Sequence, residues 1–172
     1  MSETYEPAFI ASIMRSVRTI AVVGASADPQ RPSSFVIADL ARKGYDVVPI
    51  NPAHAGRAIM GLPCFGSLGE VPRPIDMVDV FRRADAVPAI LDDMLTLDPR
   101  PAVLWLQLGV VNDKAASRAR AAGIAVVQDR CPKIEYGRLS GESGRLGIAS
   151  GIVSARRRVG GTRIQSLGLP RR

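Results

Sequence analysis

Apolar residues fall along the chain in short runs divided by glycine, proline and polar loops, and their spacing alternates between two periods. Residues 7–17 (PAFIASIMRSV) carry apolar side chains at helical intervals, with proline at a first-turn position. Residues 19–23 (TIAVV) form a β-branched apolar run that reads as a strand buried on both faces. Gly24 ends it, and the next helix, capped by Ser33 or Ser34, runs to about Lys43 and stops at Gly44. Residues 45–50 (YDVVPI) are a second strand. The stretch 57–74 is broken by Gly61, Pro63, Gly66, Gly69, Pro72 and Pro74. It predicts at most a short strand near 58–60 and one helical turn over 67–70. Strands follow at 75–81, 102–109 and 124–129, with helices at 85–97 and 112–122 between them.

This order predicts an α/β fold, a Rossmann-like three-layer domain whose mainly parallel sheet is joined by right-handed crossovers. In such sheets the ligand sits outside the carboxyl ends of the strands. Five short sets converge there: Gly24-Ala25-Ser26, Asn51-Pro52, Phe81-Arg82-Arg83, Gln107-Leu108-Gly109 and Asp129-Arg130-Cys131-Pro132.

The first set suits a phosphorylated ligand. Gly24 permits a tight turn and close backbone approach, and Ser26 offers a small hydroxyl. Arg31 supplies charge, and the helix opening near Ser33 aims a positive dipole end at the rim. A dinucleotide enzyme would add two further glycines and an acid at the end of the second strand. Here that end reads Pro49-Ile50-Asn51-Pro52, which counts against NAD and suits a ribose that is itself phosphorylated. Phe81, Arg82 and Arg83 add an apolar plate and two guanidinium groups fit for forked phosphate recognition.

Charge changes the picture only at one end. Of the 172 residues, 23 are basic and 16 acidic, but seven arginines and one glutamate lie from Ser140 onward. The excess belongs to the C-terminal segment, so a nucleic-acid partner is not expected; the arginine tail alone would carry any RNA contact. No run of 18 apolar residues is present, and the first residues, MSETYEPAF, lack a signal pattern, so neither a membrane span nor secretion is expected and the expected location is the cytoplasm. Two distant cysteines and a single histidine exclude a zinc site of the usual spacing and predict free thiols.

Taken together, VVGAS with RPS (22–26 and 31–33), GYDVVPINP (44–52), DMVDVFRR (76–83), WLQLGVVND (105–113) and DRCPKIEYGRL (129–139) resemble the small stand-alone CoA-binding proteins. Their fold is like the CoA-binding domain of the succinyl-CoA synthetase alpha subunit. The resemblance spans residues 7–157 as one domain, leaving 158–172 as a loose basic extension. It implies coenzyme A or an acyl-CoA as the ligand. Gly24, Ala25 and Ser26 would then approach the pyrophosphate, with Arg31, Pro32 and Ser33 at the phosphate and helix end. Pro49, Ile50, Asn51 and Pro52 would line the adenosine side. Phe81, Arg82 and Arg83 would frame the middle of the groove, and Gln107 and Gly109 would lie near the pantetheine arm.

No catalytic set accompanies this rim. The lone histidine, His54, sits in a loop with no nucleophile paired to it. Asp79 and Asp129 could meet at the rim. Cys131 precedes a proline and a helix start, where a thiol pKa is lowered, and it could form a mixed disulfide with CoA. The expected function is therefore a non-catalytic binding, carrier or regulatory protein. The alternatives are a subunit of an acyl-CoA ligase completed by a partner chain, or an NAD(P) oxidoreductase. A homodimer is compatible with so small a domain.

Overall fold

The computed structural model describes residues 3–141. The proposed domain end at 157 and the extension 158–172 lie outside the described residues.

Five strands form one parallel sheet: β1 (Thr19–Val23), β2 (Asp46–Ile50), β5 (Met77–Val80), β6 (Val103–Leu106) and β7 (Ala125–Val127), in the order β2-β1-β5-β6-β7. Between β2 and β5 the chain makes a small antiparallel hairpin from β3 (Ala58–Ile59) and β4 (Leu62–Pro63). Five helices connect or flank the strands: α1 (Pro7–Ser16), α2 (Pro32–Arg42), α3 (Val87–Thr96), α4 (Asp113–Ala121) and α5 (Pro132–Ser140). The sheet is the expected α/β, Rossmann-like one; β1 spans its whole apolar run, and β2, β5, β6 and β7 are shorter than theirs because pairing ends where the loops diverge.

Strand alternation divides the core in two. Ile20, Val22, Met77, Val103 and Trp105 face α1, α2 and α5, which contribute Met14, Ile37, Leu40 and Tyr136. Ala21, Val48, Val78, Val80 and Leu104 face the opposite way, onto Leu91 and Met94 of α3 and Ala116 and Ala119 of α4. Small alanines let α4 lie close to the sheet. Both faces being covered explains why these strands are continuously apolar rather than alternating.

β1 pairs with β2 on one side and β5 on the other, so the connections leaving and returning to it run to opposite sides. The crevice of a doubly wound sheet opens at such a switch point, here at the carboxyl ends of β1 and β5.

Two local expectations change. α2 starts two to three residues earlier than the serines suggest: Arg31 is its N-cap, without a side-chain capping bond, and Pro32 takes the first turn. Ser33 and Ser34 are buried instead and turn back onto the preceding loop. The Ser33 Oγ accepts from the Ser26 N–H (3.1 Å), and the Ser34 hydroxyl donates to the Ser26 and Asp28 carbonyls (3.0 and 2.7 Å). The irregular stretch also holds a second strand, β4, beyond the single one expected. Met60 and Gly61 both take positive φ (50° and 79°) and close a two-residue hairpin turn.

Candidate functional site

The switch point is built by backbone. Gly24 N–H extends the β1–β2 ladder to the Ile50 carbonyl (3.0 Å), and Phe81 N–H donates to the Val23 carbonyl (2.8 Å). Gly24 has φ +86°, and a Cβ there would stand 2.6 Å from the Phe81 carbonyl oxygen and 2.8 Å from Arg82 Cδ. Glycine is thus required both for conformation and for closeness. The Arg82 stem lies across Gly24, and its exposed guanidinium has no ion-pair partner among the described residues. Arg31 and Arg83 are also exposed but face carboxylates, Asp28 at 3.8 Å and Asp85 at 3.3 Å. Arg82 is therefore the cation most open to an incoming anion.

Beside Gly24, on the α3 side, lies a cleft of about 240 Å³. Gly24, Ile50, Asn51, Pro52 and Arg82, all expected at the rim, line it. The Asn51 side chain braces the two loops above it. Its Nδ2 donates to the Ala25 carbonyl (2.7 Å), and its Oδ1 accepts from Ala53 N–H (2.9 Å), opening the short 3-10 turn at Pro52–His54. Only one amide N–H of Asn51 is left for a ligand. Ala25 and Pro49 place their side chains in buried positions, so they can present only backbone. Ser26 and Pro32 sit on the β1–α2 loop. The Ser26 Oγ accepts from Asp28 N–H (3.1 Å), which leaves its hydroxyl proton to donate. Ser33 contributes no side chain to the surface, and Pro32 has no N–H, so the α2 start offers fewer donors than a free helix end.

The far wall of the cleft is absent from the sequence expectations. It comes from Ser67 and Leu68, returned to the rim by a bridge between Ile50 and Phe65, and from Ala86, Ala89, Ile90 and Asp93 at the start of α3. The α3 residues recur at one-turn spacing directly after Phe81-Arg82-Arg83, a signal that was legible; the return of Ser67 depends on the hairpin and was not.

The β6 and β7 ends form a second group. Phe81 is half-buried against the α2/α5 core. Gly109 (φ +78°) is exposed and donates to Asp129 Oδ1 (2.8 Å). Trp105 Nε1 donates to the Arg130 carbonyl (2.8 Å), and Arg130 also reaches the Glu3 carbonyl (2.8 Å), so the last rim loop is held from both sides. Gln107 is buried, and its Nε2 donates to both oxygens of Asp79 (2.9 and 3.0 Å). Asp79 and Asp129 therefore serve different neighbours and do not form a pair.

Asp79 has no exposed surface, and burial pushes its carboxyl up to about 8 against the pull of the Gln107 amide. Near neutrality it is mainly a protonated acid. Cys131 is the N-cap of α5 but makes no capping bond. Its thiol is pushed up, not lowered as its helix-start position suggests. Burial outweighs the help of the Ile134 and Lys133 N–H groups, and Asp79 nearby adds to the rise. Both cysteines are free. No group of metal-ligating side chains occurs among the described residues, and no helix among them is long and apolar enough to cross a membrane.

Known proteins share the sequence pattern and the fold of this chain. Residues 18–137 match the family model described as a CoA binding domain. The chain is 35% identical over 127 residues to the Bacillus subtilis protein YneT, covering 74% of this chain and 91% of that one. A solved Thermus thermophilus structure, cell-free ID.343, superimposes with a TM-score of 0.73 at 35% identity, over 78% of this chain and 98% of the other. The dinucleotide-forming acetyl-coenzyme A synthetase 1 of Ca. Korarchaeum cryptofilum, solved with phosphate and ADP, aligns with a TM-score of 0.56 at 26% identity. That alignment covers 67% of this chain but only 27% of the synthetase.

Proposed function

The chain belongs to the CoA binding domain family, and from that premise we propose that it binds coenzyme A or an acyl-CoA along the crevice at Gly24, as a binding, carrier or regulatory protein. The observation that carries the reading is the meeting of Gly24, Arg82 and the Asn51-Pro52 turn on one cleft at the switch point. The cleft's apolar walls, Ile50, Leu68 and Ile90, suit a flat base. The Arg82 guanidinium, without an ion-pair partner among the described residues, and the Ser26 hydroxyl suit phosphate groups crossing the glycine. The pantetheine arm would then run past Phe81 toward Gln107, Gly109 and Cys131.

Calorimetric titration with CoA, acetyl-CoA and NAD tests this. Saturable binding of the first two, without NAD, is expected; no CoA or acetyl-CoA binding at millimolar concentration would overturn it. The likeness to the acetyl-coenzyme A synthetase supports a second reading, a subunit that a partner chain completes as an acyl-CoA ligase. Recovery of such a partner with ATP-dependent thioester formation would favour that reading over the first.

A further inference from the structure

The cleft beside Gly24 sorts its polar groups by kind. Donors stand at the glycine end. They are the Arg82 guanidinium, whose stem crosses Gly24, and the one Asn51 amide N–H left after its bond to the Ala25 carbonyl. Acceptors stand on the two walls. Ser67, which precedes the 3-10 turn Leu68–Glu70, gives its hydroxyl proton to Glu70 Oε1 (3.0 Å), so its oxygen is left to accept. Across from it, Ala86, Ala89, Ile90 and Asp93 line the cleft at one-turn spacing, a stripe that advances about 10 Å from first to last. Asp93 is the only polar member of that stripe and the only acid lining the cleft. Its side chain is exposed and has no hydrogen bond or ion pair among the described residues. Asp92 beside it is instead tied to Arg118 of α4 at 2.6 Å. No group of metal-ligating side chains includes Asp93. A bare carboxylate in a cleft suited to phosphates opposes such a ligand unless a donor on the ligand meets it.

We infer that Asp93 is a specificity-determining residue that accepts a hydrogen bond from the exocyclic amine of the bound base. This rests on the CoA reading of the cleft. With the phosphates at Gly24 and Arg82, the ribose follows them and the base lies between Leu68 and Ile90. Asp93 stands one helical turn beyond Ala89 and Ile90, farthest along α3 from Arg82, where the outer edge of the base arrives. Contact with the ribose would set the carboxylate against the 3′-phosphate of CoA, which like charge disfavours. Adenine carries an amine on its outer edge, and purine without that amine has only ring nitrogens to turn toward Asp93. Two acceptors facing each other leave the carboxylate desolvated without a partner, so the cleft selects the amino-substituted base.

The test titrates the full chain by calorimetry with CoA and with the CoA analogue that carries purine in place of adenine, which differs only in the exocyclic amine. The wild type should bind CoA about tenfold more tightly than the analogue. Asp93→Ala should bind the two equally. Alanine suits a helix interior, so this variant should fold, with thermal unfolding as the check. The ratio of the two affinities within one variant cancels any general gain from losing a negative charge. Asp93→Asn keeps an acceptor of the same shape and should retain about threefold preference. Equal binding of both ligands by the wild type would overturn the inference and leave the CoA reading standing. So would a tenfold preference that persists in Asp93→Ala, since another group would then read the amine. Failure of the wild type to bind either ligand would remove both readings.

Discussion

Gly24 and Asp79 show how much a single position decides. Gly24→Ala places a methyl group against the Phe81 carbonyl in a backbone region that alanine resists. A loss of about 1–3 kcal/mol is expected, read as a lower urea midpoint, together with weaker CoA binding. Asp79→Asn should act through pH. The folded chain holds the Asp79 proton up to about pH 8, whereas the unfolded chain releases it near the ordinary carboxylate pKa of about 4. Between those limits unfolding releases a proton, so Asp79 costs the wild type about 1.4 kcal/mol of stability for each pH unit of rise, levelling above pH 8. Asparagine removes that component, so the variant should gain on the wild type from pH 5 to pH 8 in urea unfolding. Parallel profiles would show that Asp79 stays charged. The sequence marked Gly24 because a glycine ends an apolar strand. It left Asp79 ambiguous, because a carboxyl within a strand has the same letters whether it faces water or Trp105.

At the level of elements, strand and helix periods were legible because each face of the sheet is covered and each helix has one apolar stripe. What escaped were side chains that tie one element to another. Ser33 and Ser34 have the composition of helix caps, and Asn51 that of a ligand contact. In the fold they brace the β1–α2 loop from α2 on one side and from β2 on the other. The loop is thereby set before a ligand arrives, which reduces the ordering cost of binding. Ser34→Ala removes a buried donor from two carbonyls and should cost about 1–3 kcal/mol. Amide exchange in residues 26–31 should quicken while α4 is unchanged; equal protection in that loop would show that it is held by other contacts. The hairpin β3–β4 escaped for a related reason. Its proline-bearing strand is too short to carry a period, yet it delivers Ser67 and Leu68 to the cleft.

At the scale of the whole molecule, the parallel order β2-β1-β5-β6-β7 gathers residues from positions 24 to 131 onto one edge, and that gathering follows from topology rather than from any one motif. The expected domain was legible because five strand ends, each modest alone, recur in register with helices between them. In the cleft's second wall the α3 stripe was legible as a spacing, but its meeting with Ser67 and Leu68 was not, since α3 reaches the β2 loop only after the sheet has closed its order. Ala89 is exposed on that wall, away from the core, so Ala89→Glu should leave folding intact while placing bulk and negative charge where the nucleotide would lie. The decisive measurement is a calorimetric titration of CoA into the wild type and Ala89→Glu, with thermal unfolding of each as a control. Saturable one-to-one binding by the wild type is predicted, weakened about tenfold or more in the variant at an unchanged unfolding temperature. No CoA binding by the wild type, or equal affinity in both, would contradict the placement of CoA in this cleft.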